Sequence, residues 1–149
     1  MKHTVSTKKE DIKRDWHLVD VENKVLGRSA SDIAKLLMGK NKPYFVRNLD
    51  CGDFVVVINA KDVKVTGKKE SLKKYYRHSG YPGGFKSETL AELRNRNAKE
   101  IIIHAVSGML PKNRLKAQML KRLYVFEKEN YIYQDKFFAK GESASGGKN

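Results

Sequence analysis

Five consecutive apolar residues, Phe-Val-Val-Val-Ile, occupy positions 54–58 between Gly52 and Asn59. The run is continuous rather than alternating and is rich in β-branched residues, so it predicts a strand that is buried on both faces. Residues 16–21 alternate in polarity as a short strand does, and the apolar residues of 27–39 recur at helical spacing before a stop at Gly39. The order strand, helix, buried strand predicts a βαβ unit and therefore a parallel sheet.

The rest of the chain predicts further elements around this unit. We expect short strands at 63–66 and 75–78, a loop at 79–84, helices at about 87–95 and 98–106, a turn at 108–113, a helix after that turn, and an edge strand at 124–126. Ser29 with Asp32 is the expected capping pair of the helix at 27–39, and Ser87 or Thr89 is the expected cap of the helix at 87–95.

Three regions follow from this pattern. Residues 1–15 are polar and basic and are expected to form an arm that orders only on docking. Residues 16–126 form the folded domain, and residues 127–149 form a C-terminal extension that ends in a disordered tail.

Lys and Arg outnumber Asp and Glu by 31 to 17, which gives a formal net charge of +14 and an isoelectric point near 9.8. Residues 35–47 hold four cations and no acid, residues 61–78 hold seven cations and two acids, and residues 112–122 hold five cations and no acid. These three basic blocks therefore account for the whole charge of +14. A charge this large on a small domain repels itself, and a polyanionic partner is its simplest explanation.

Nucleic acid is the leading class of partner and an anionic membrane is the second. Against a membrane, no apolar run approaches the ~18 residues that span a bilayer, and the basic segments carry Tyr and Gly rather than an insertion face. Cys51 is the only cysteine, and the N-terminus lacks the apolar core of a signal peptide. Both features favour a reducing compartment, the cytoplasm. We expect no cofactor and no small-molecule substrate.

Aromatic residues and glycines accompany the second basic block. Four aromatic side chains lie among its cations or just after them: Tyr75, Tyr76, His78 and Tyr81. Their rings either pack with the polar atom at the surface or stack on unpaired bases. The loop that follows contains three glycines, Gly80, Gly83 and Gly84. They form a tight turn, let backbone N–H groups approach a phosphate, or do both.

The patterns that would indicate an enzyme are incomplete. Gly67-Lys68-Lys69 lacks the earlier glycine and the following Ser or Thr of a phosphate-binding loop. The tetrapeptide Asp50-Cys51-Gly52-Asp53 has no histidine pair at metal-ligand spacing to accompany it and is typical of a turn before a buried strand. Asp50 and Asp53 are the carboxylates that a nucleic-acid enzyme would have to use. We expect no catalytic residue and no metal site.

Several sequence blocks occur in a characteristic order between about Arg14 and Phe126. They are Arg14-Asp15-Trp16-His17-Leu18-Val19-Asp20, Leu26-Gly27-Arg28, Gly39-Lys40, Asp50-Cys51-Gly52-Asp53, Val-Val-Val-Ile-Asn-Ala at 55–60, Val65-Thr66-Gly67-Lys68-Lys69, Ser79-Gly80-Tyr81-Pro82-Gly83-Gly84 and Gly108-Met109-Leu110-Pro111-Lys112-Asn113. In this order they resemble a known family, the thirteenth protein of the bacterial-type large ribosomal subunit.

The resemblance implies a three-layer α/β/α fold around a short, mainly parallel sheet of about four strands. It also implies a non-catalytic role in translation: binding large-subunit ribosomal RNA early in ribosome assembly and holding distant RNA segments together, beside neighbouring ribosomal proteins. An architectural DNA-binding protein is the alternative, because it would share the charge. No recognition-helix signature supports it.

The resemblance places RNA contacts on basic loops, at Lys40, Lys68, Lys69, Arg77, His78, Gly80, Gly83, Gly84, Lys112, Asn113 and Arg114. The basic blocks add Lys42, Arg47, Lys73, Lys74, Lys116, Lys121 and Arg122 to the predicted RNA-binding residues. The sequence departs from the common family pattern at Ser107, at 113–116 and after Phe126. Contacts of the tail and the backbone path near Lys116 are therefore not carried over.

Overall fold

The computed structural model of the chain describes residues 7–138. In chain order its helices and strands are β1 (Trp16–Asp20), α1 (Leu26–Met38), β2 (Phe54–Ile58), α2 (Lys69–Leu72), β3 (Lys74–His78), β4 (Phe85–Thr89), α3 (Leu90–Met109), α4 (Leu115–Leu120), β5 (Leu123–Val125) and α5 (Gln134–Phe138). The α/β class expected from the sequence is confirmed.

The central sheet is parallel, with strand order β1-β2-β5. The buried run at 54–58 is its middle strand, with Val55 opposite His17 on one side and Leu123 on the other. The sheet has three strands rather than the expected four. The predicted strand at 63–66 is wrong, since in this segment only Lys64 pairs, through an isolated bridge to Val25. The chain turns away at Gly67, whose φ is 67°.

The two faces of the sheet are covered by different parts of the chain. Val55 and Val57 join the residues of α1 and α3 in the main hydrophobic core. Side chains alternate along a strand, so Phe54 and Val56 point to the opposite face. There Trp16 stacks on Phe54 with ring centroids 4.5 Å apart, and Tyr133 of the C-terminal extension lies 5.3 Å from Trp16. The middle strand is continuously apolar because both of its faces are covered.

The C-terminal extension thus supplies the layer on the second face. Tyr133 also approaches Tyr124 of β5 to 4.5 Å, and Phe137 of α5 meets Trp16 edge-on at 6.4 Å. Burial raises the pKa of Tyr124, and the adjacent Tyr133 phenol raises it further. Residues 139–149, where we expect a disordered tail, lie outside the described residues, as do residues 1–6.

Helix α1 ends as predicted and begins differently. Gly39 has the left-handed φ of 75°, and its N–H donates to the carbonyl of Leu36 at 3.0 Å, which closes the helix. The expected capping pair of Ser29 and Asp32 is wrong. The helix begins at Leu26 after Val25, without a side-chain cap, and this places Ser29 inside the helix.

Strands β3 and β4 form an antiparallel hairpin that leads directly into α3. The strand predicted at 75–78 is therefore confirmed, whereas Ser87 belongs to β4 and not to a helix. Thr89 caps α3: the Glu92 N–H donates to its hydroxyl at 3.3 Å, and its own N–H donates to the Glu92 carboxylate at 2.7 Å. These two bonds hold the pKa of Glu92 below its usual value.

Helix α3 contains both of the helices expected at 87–95 and 98–106; the first begins later than expected, at Leu90, and the second continues further, to Met109. The two parts meet at Asn97, whose φ of −160° and ψ of 88° interrupt the helical backbone. The helix then continues to Met109, so the expected turn at 108–113 starts later, at Leu110 and Pro111.

Part of the N-terminal region lies against the domain. The Lys13 carbonyl accepts hydrogen bonds from Lys42 Nζ at 2.6 Å and from the Tyr44 hydroxyl at 3.2 Å. Arg14 donates to the carbonyls of Gly52 and Asp50 at 2.6 Å and 3.0 Å. Residues 13 and 14 lie before the domain boundary expected at residue 16, and they nevertheless contact the loop that leads into β2.

Candidate nucleic-acid interface

The fold brings cations of the first two basic blocks and Asn113 of the third to two cavities that share one residue, Met109. Lys40 and Arg47 of the first block share a cavity of about 420 Å³ with Asn113 of the third. Lys68, Lys69 and Lys73 of the second block line a neighbouring cavity of about 700 Å³. Met109 lines both cavities, and 41% of its surface is exposed. We call this region the Met109 surface, formed by Met109 and these six polar residues.

Local structure explains why these polar side chains face outward. Lys40 follows the left-handed turn at Gly39, which ends α1. Asn113 begins the turn into α4, where its side-chain oxygen accepts from the Lys116 N–H at 3.2 Å. Lys68 and Lys69 lie at the start of the short helix α2, and both side chains are exposed. Each cation is thus held by a turn or a helix end, while its charged group remains in water.

Five other predicted residues of the basic blocks are also at the surface. Lys112, Arg114 and Lys121 are exposed, and Lys116 is half-buried. Lys74 of β3 is exposed as well and continues the second block toward the hairpin.

The hairpin of β3 and β4 carries the other predicted residues. Arg77 lies directly opposite Lys86, and both line a shallow cavity of about 410 Å³. The hairpin loop closes through hydrogen bonds between Ser79 and Gly84 at 3.1 Å and between Gly84 and Tyr81 at 2.9 Å. Gly80 and Gly83 have φ values of 86° and 70° there, so these glycines are needed for the turn itself.

Arg122 is a correction to the predicted binding set. Only 7% of its surface is exposed. Its guanidinium forms a bidentate ion pair with the Asp50 carboxylate, in which Nη2 lies 2.5 Å from Oδ1 and Nη1 contacts Oδ2. The same side chain donates to the carbonyls of Leu37 and Asp53, each at 3.3 Å. A cation this buried cannot reach a phosphate, so Arg122 ties α1, the loop at 50–53 and β5 together instead.

Lys42 is a second correction. Its side chain is 12% exposed and its ammonium forms an ion pair with Asp53. Asp53 also accepts from the Asp15 N–H at 2.9 Å and contacts His17 Nε2 at 3.0 Å. Burial alone would raise the pKa of Asp53, but the bonds from His17, Asp15 and Lys42 outweigh it and hold that pKa below its usual value. Lys42 therefore anchors the N-terminal segment.

The lowered pKa of Asp53 has a testable consequence. A carboxyl group with a depressed folded-state pKa stabilises the fold above its unfolded pKa of about 4, and this contribution is lost as pH falls through the folded value. We expect Asp53→Asn to lower the free energy of unfolding at pH 7 and to differ progressively less from wild type below about pH 4. Urea unfolding between pH 2 and pH 7 measures the difference.

The control for this experiment is Asp32→Asn on α1, whose side chain is 70% exposed. We expect little destabilisation at any pH, because surface ion pairs contribute about 0–1 kcal/mol. A destabilisation by Asp53→Asn that stayed constant down to pH 2 would contradict the assignment of the effect to carboxylate charge.

The arrangement does not provide the chemistry of a nuclease or a metalloenzyme. Asp50 and Asp53, the carboxylates that such an enzyme would use, are each paired with a cation of the chain. Cys51 is fully buried. Within residues 7–138, no cluster of three or more His, Cys, Asp or Glu side chains forms a metal site, and no helix has the length and apolar character to cross a membrane.

Sequence reasoning missed two residues of the candidate interface. Lys86 lies outside the basic blocks and joins Arg77 only through the hairpin register. The signal available was the glycine-rich loop at 79–84, with basic and aromatic residues on both sides of it. Met109 was assigned to a turn, but it is the last residue of α3 and separates the two lysine-lined cavities.

These features define a class of protein: a basic α/β domain that holds its exposed cations at turns and helix ends, as nucleic-acid-binding proteins do. Comparison with known proteins is more specific. The family model described as ribosomal protein L13 matches residues 14–131. The large ribosomal subunit protein uL13 of Dehalococcoides mccartyi is 55% identical over 129 residues, which cover 87% of this chain and 90% of that protein.

Two further relatives carry the same name. The uL13 protein of Lawsonia intracellularis is 54% identical over 123 residues, which cover 83% of this chain and 85% of the relative. That of Dictyoglomus thermophilum is 50% identical over 131 residues, covering 88% and 92%. The chain therefore belongs to the ribosomal protein L13 family, a family of structural ribosomal proteins and not of enzymes. The resemblance stated from the sequence is confirmed, and the expected location in a bacterial-type ribosome agrees with these bacterial relatives.

Proposed function

We propose that the chain binds large-subunit ribosomal RNA through the Met109 surface and the β3–β4 hairpin, and that it thereby helps to assemble the large ribosomal subunit. Neighbouring ribosomal proteins are its expected protein partners. The observation that carries the proposal is that residues of all three blocks, cations of the first two and Asn113 of the third, line two cavities that share Met109. Lys and Arg at such a surface neutralise phosphates where RNA strands come together.

The positions of these polar residues at the ends of helices support an assembly role. Lys40 follows the end of α1, the Lys68–Lys69 pair begins α2, and Asn113 leads into α4. Helices α1 and α4 contribute residues to the same hydrophobic core, and α2 is tied to α3 by the ion pair between Glu70 and Arg94. RNA segments bound at these positions would be held at a fixed spacing, because the folded domain fixes the backbone positions of these residues relative to one another.

The test is a salt titration of the full-length protein with a large-subunit ribosomal RNA fragment. A protein that makes 6–10 phosphate contacts loses roughly 10³- to 10⁵-fold in affinity between 50 and 200 mM salt. We expect Lys68→Gln/Lys69→Gln/Lys73→Gln to weaken binding and to lower the slope of log affinity against log salt by about 0.7–0.9 for each phosphate that the variant no longer neutralises.

The matched control is Lys24→Gln/Lys128→Gln/Lys136→Gln, which removes the same charge from exposed positions that line neither cavity of the Met109 surface. We expect the salt slope of this control to stay close to that of the wild type. Equal reductions of affinity in the two triple variants would mean that net charge alone drives binding, and would overturn the proposed interface. An excess of duplex DNA should displace little protein from the RNA; efficient displacement would favour the architectural DNA-binding alternative.

A further inference from the structure

Two aromatic side chains of the hairpin are exposed and lie against each other. Tyr76 of β3 is 66% exposed and Phe85 of β4 is 61% exposed. Their ring centroids are 5.6 Å apart and their planes differ by only 21°. Large apolar rings that meet each other but remain open to water are poorly explained by folding, because burying them would have been favourable.

The neighbouring Tyr75 shows the contrast. Side chains alternate along β3, so Tyr75 points to the other face of the hairpin than Tyr76. Tyr75 is half-buried, packs against the core and lies 5.5 Å from the His104 ring. The inner face of β3 therefore contributes its tyrosine to the fold, while the outer face keeps the pair of Tyr76 and Phe85 in water.

The surroundings of the pair are cationic. Lys74 shares the outer face with Tyr76. Arg77 and Lys86 pair with each other on the inner face, and Phe85 lines the shallow cavity that also contains them. The acidic residue of these two strands, Glu88, is already bound by Arg96, with an Nη2 to Oε1 distance of 2.8 Å. A pair of aromatic rings with Lys74 on the same face, and with two further cations in an adjoining cavity, matches a group that is both flat and attached to phosphate.

His78 places a hydrogen-bond donor beside the aromatic pair. Its Nδ1 accepts the Gly80 N–H at 2.9 Å. This bond requires an unprotonated Nδ1, so in the neutral ring the proton resides on Nε2. His78 lies opposite Phe85 in the hairpin register and is exposed, so Nε2–H is available beside the aromatic pair.

We infer that the outer face of the hairpin binds an unpaired RNA nucleotide, whose base stacks on the Tyr76–Phe85 pair while its phosphate contacts Lys74. The inference rests on the proposed RNA-binding function and adds the class of RNA that the hairpin recognises. Every base offers a π face, so such a site tolerates different sequences but needs a base that is not held in a duplex.

The experiment compares two probes on the full-length protein: a single-stranded RNA of about ten nucleotides that carries 2-aminopurine, and a duplex RNA of the same length. Stacking on an aromatic ring quenches 2-aminopurine fluorescence. We expect wild-type protein to quench the single-stranded probe. Tyr76→Leu/Phe85→Leu should bind that probe about 5- to 150-fold more weakly, because removing the stacking of one base corresponds to about that range.

Two control variants separate stacking from other effects. Tyr76→Phe keeps both rings and should bind within twofold of the wild type. Tyr81→Leu removes another exposed aromatic ring of the same hairpin, 76% exposed, and should have an equally small effect. Affinity for the duplex probe should change less than twofold in all variants.

The outcomes also distinguish this inference from the proposed function. Unchanged affinity and quenching in Tyr76→Leu/Phe85→Leu, with steep salt dependence retained, would overturn the stacking site alone. If wild-type protein bound neither these probes nor ribosomal RNA, the proposed function would fail as well. A double variant that binds RNA normally but no longer associates with large-subunit proteins would assign the pair to a protein partner and overturn the RNA inference.

Discussion

Arg122→Met is expected to lower the free energy of unfolding by about 3–5 kcal/mol, because it leaves the Asp50 carboxylate buried without its main partner. Only 9% of the Asp50 surface is exposed, and Arg14 Nη2 lies 3.6 Å from the carboxylate, too far to replace two direct bonds. The substitution also frees the carbonyls of Leu37 and Asp53. Urea unfolding at pH 7, followed by far-UV circular dichroism, gives the value.

Two further variants test the physical reason. Lys121→Met, at the exposed neighbouring position, should change stability by no more than about 0.5 kcal/mol. Adding Asp50→Asn to Arg122→Met should restore part of the stability, since the penalty comes from an uncompensated charge. If Arg122→Met left stability unchanged but weakened RNA binding, Arg122 would be a phosphate contact after all.

Gly52→Ala is expected to destabilise the protein by about 3 kcal/mol or more, because overpacking against backbone cannot be relieved by a side-chain rotation. A Cβ atom at Gly52 would lie 1.7 Å from the carbonyl oxygen of Leu37 and 2.9 Å from Arg122 Nη2. Either the end of α1 or the loop at 50–53 must move. Both hold the Arg122–Asp50 ion pair, so its geometry would be disrupted together with the packing.

Gly27→Ala is the matched control for this substitution. Gly27 lies in the first turn of α1, and a Cβ atom there would meet no described atom within 4 Å. Alanine is the better helix former, so we expect a neutral effect or a gain of up to about 1 kcal/mol. A destabilisation below about 1 kcal/mol for Gly52→Ala would show that the close approach of α1 to the loop at 50–53 is incorrect.

The large features of the fold were predictable because they depend on local pattern. The buried strand at 54–58 and the stop of α1 at Gly39 agree with the structure, as does the parallel pairing of β1 with β2. The predictions were wrong where the structure of a segment depends on whether another strand pairs with it. The segment at 63–66 has a strand-like sequence, but only Lys64 meets a partner. Ser87 has a capping side chain but lies in β4, because the hairpin register continues to Thr89.

The sequence indicated which segments are rich in cations, but not which of these cations would be exposed in the folded domain. Counting charges located the three basic blocks, yet the count treats every cation as equal. The structure separates exposed Lys68 from Arg122 and Lys42, whose charges are neutralised inside the domain by Asp50 and Asp53. Nothing in the local sequence of Arg122 indicates this, because its partner lies 72 residues away.

The sequence by itself determined the class of fold, the membership of the ribosomal protein L13 family and the excess of cations, since these depend on residue type, order and spacing along the chain. The tertiary structure decided which cations remain at the surface and which tie the core together. It also brought Met109 between two lysine-lined cavities and left the Tyr76–Phe85 pair in water. Burial and ion pairing are properties of neighbours in space, and folding brings those neighbours together from distant parts of the sequence.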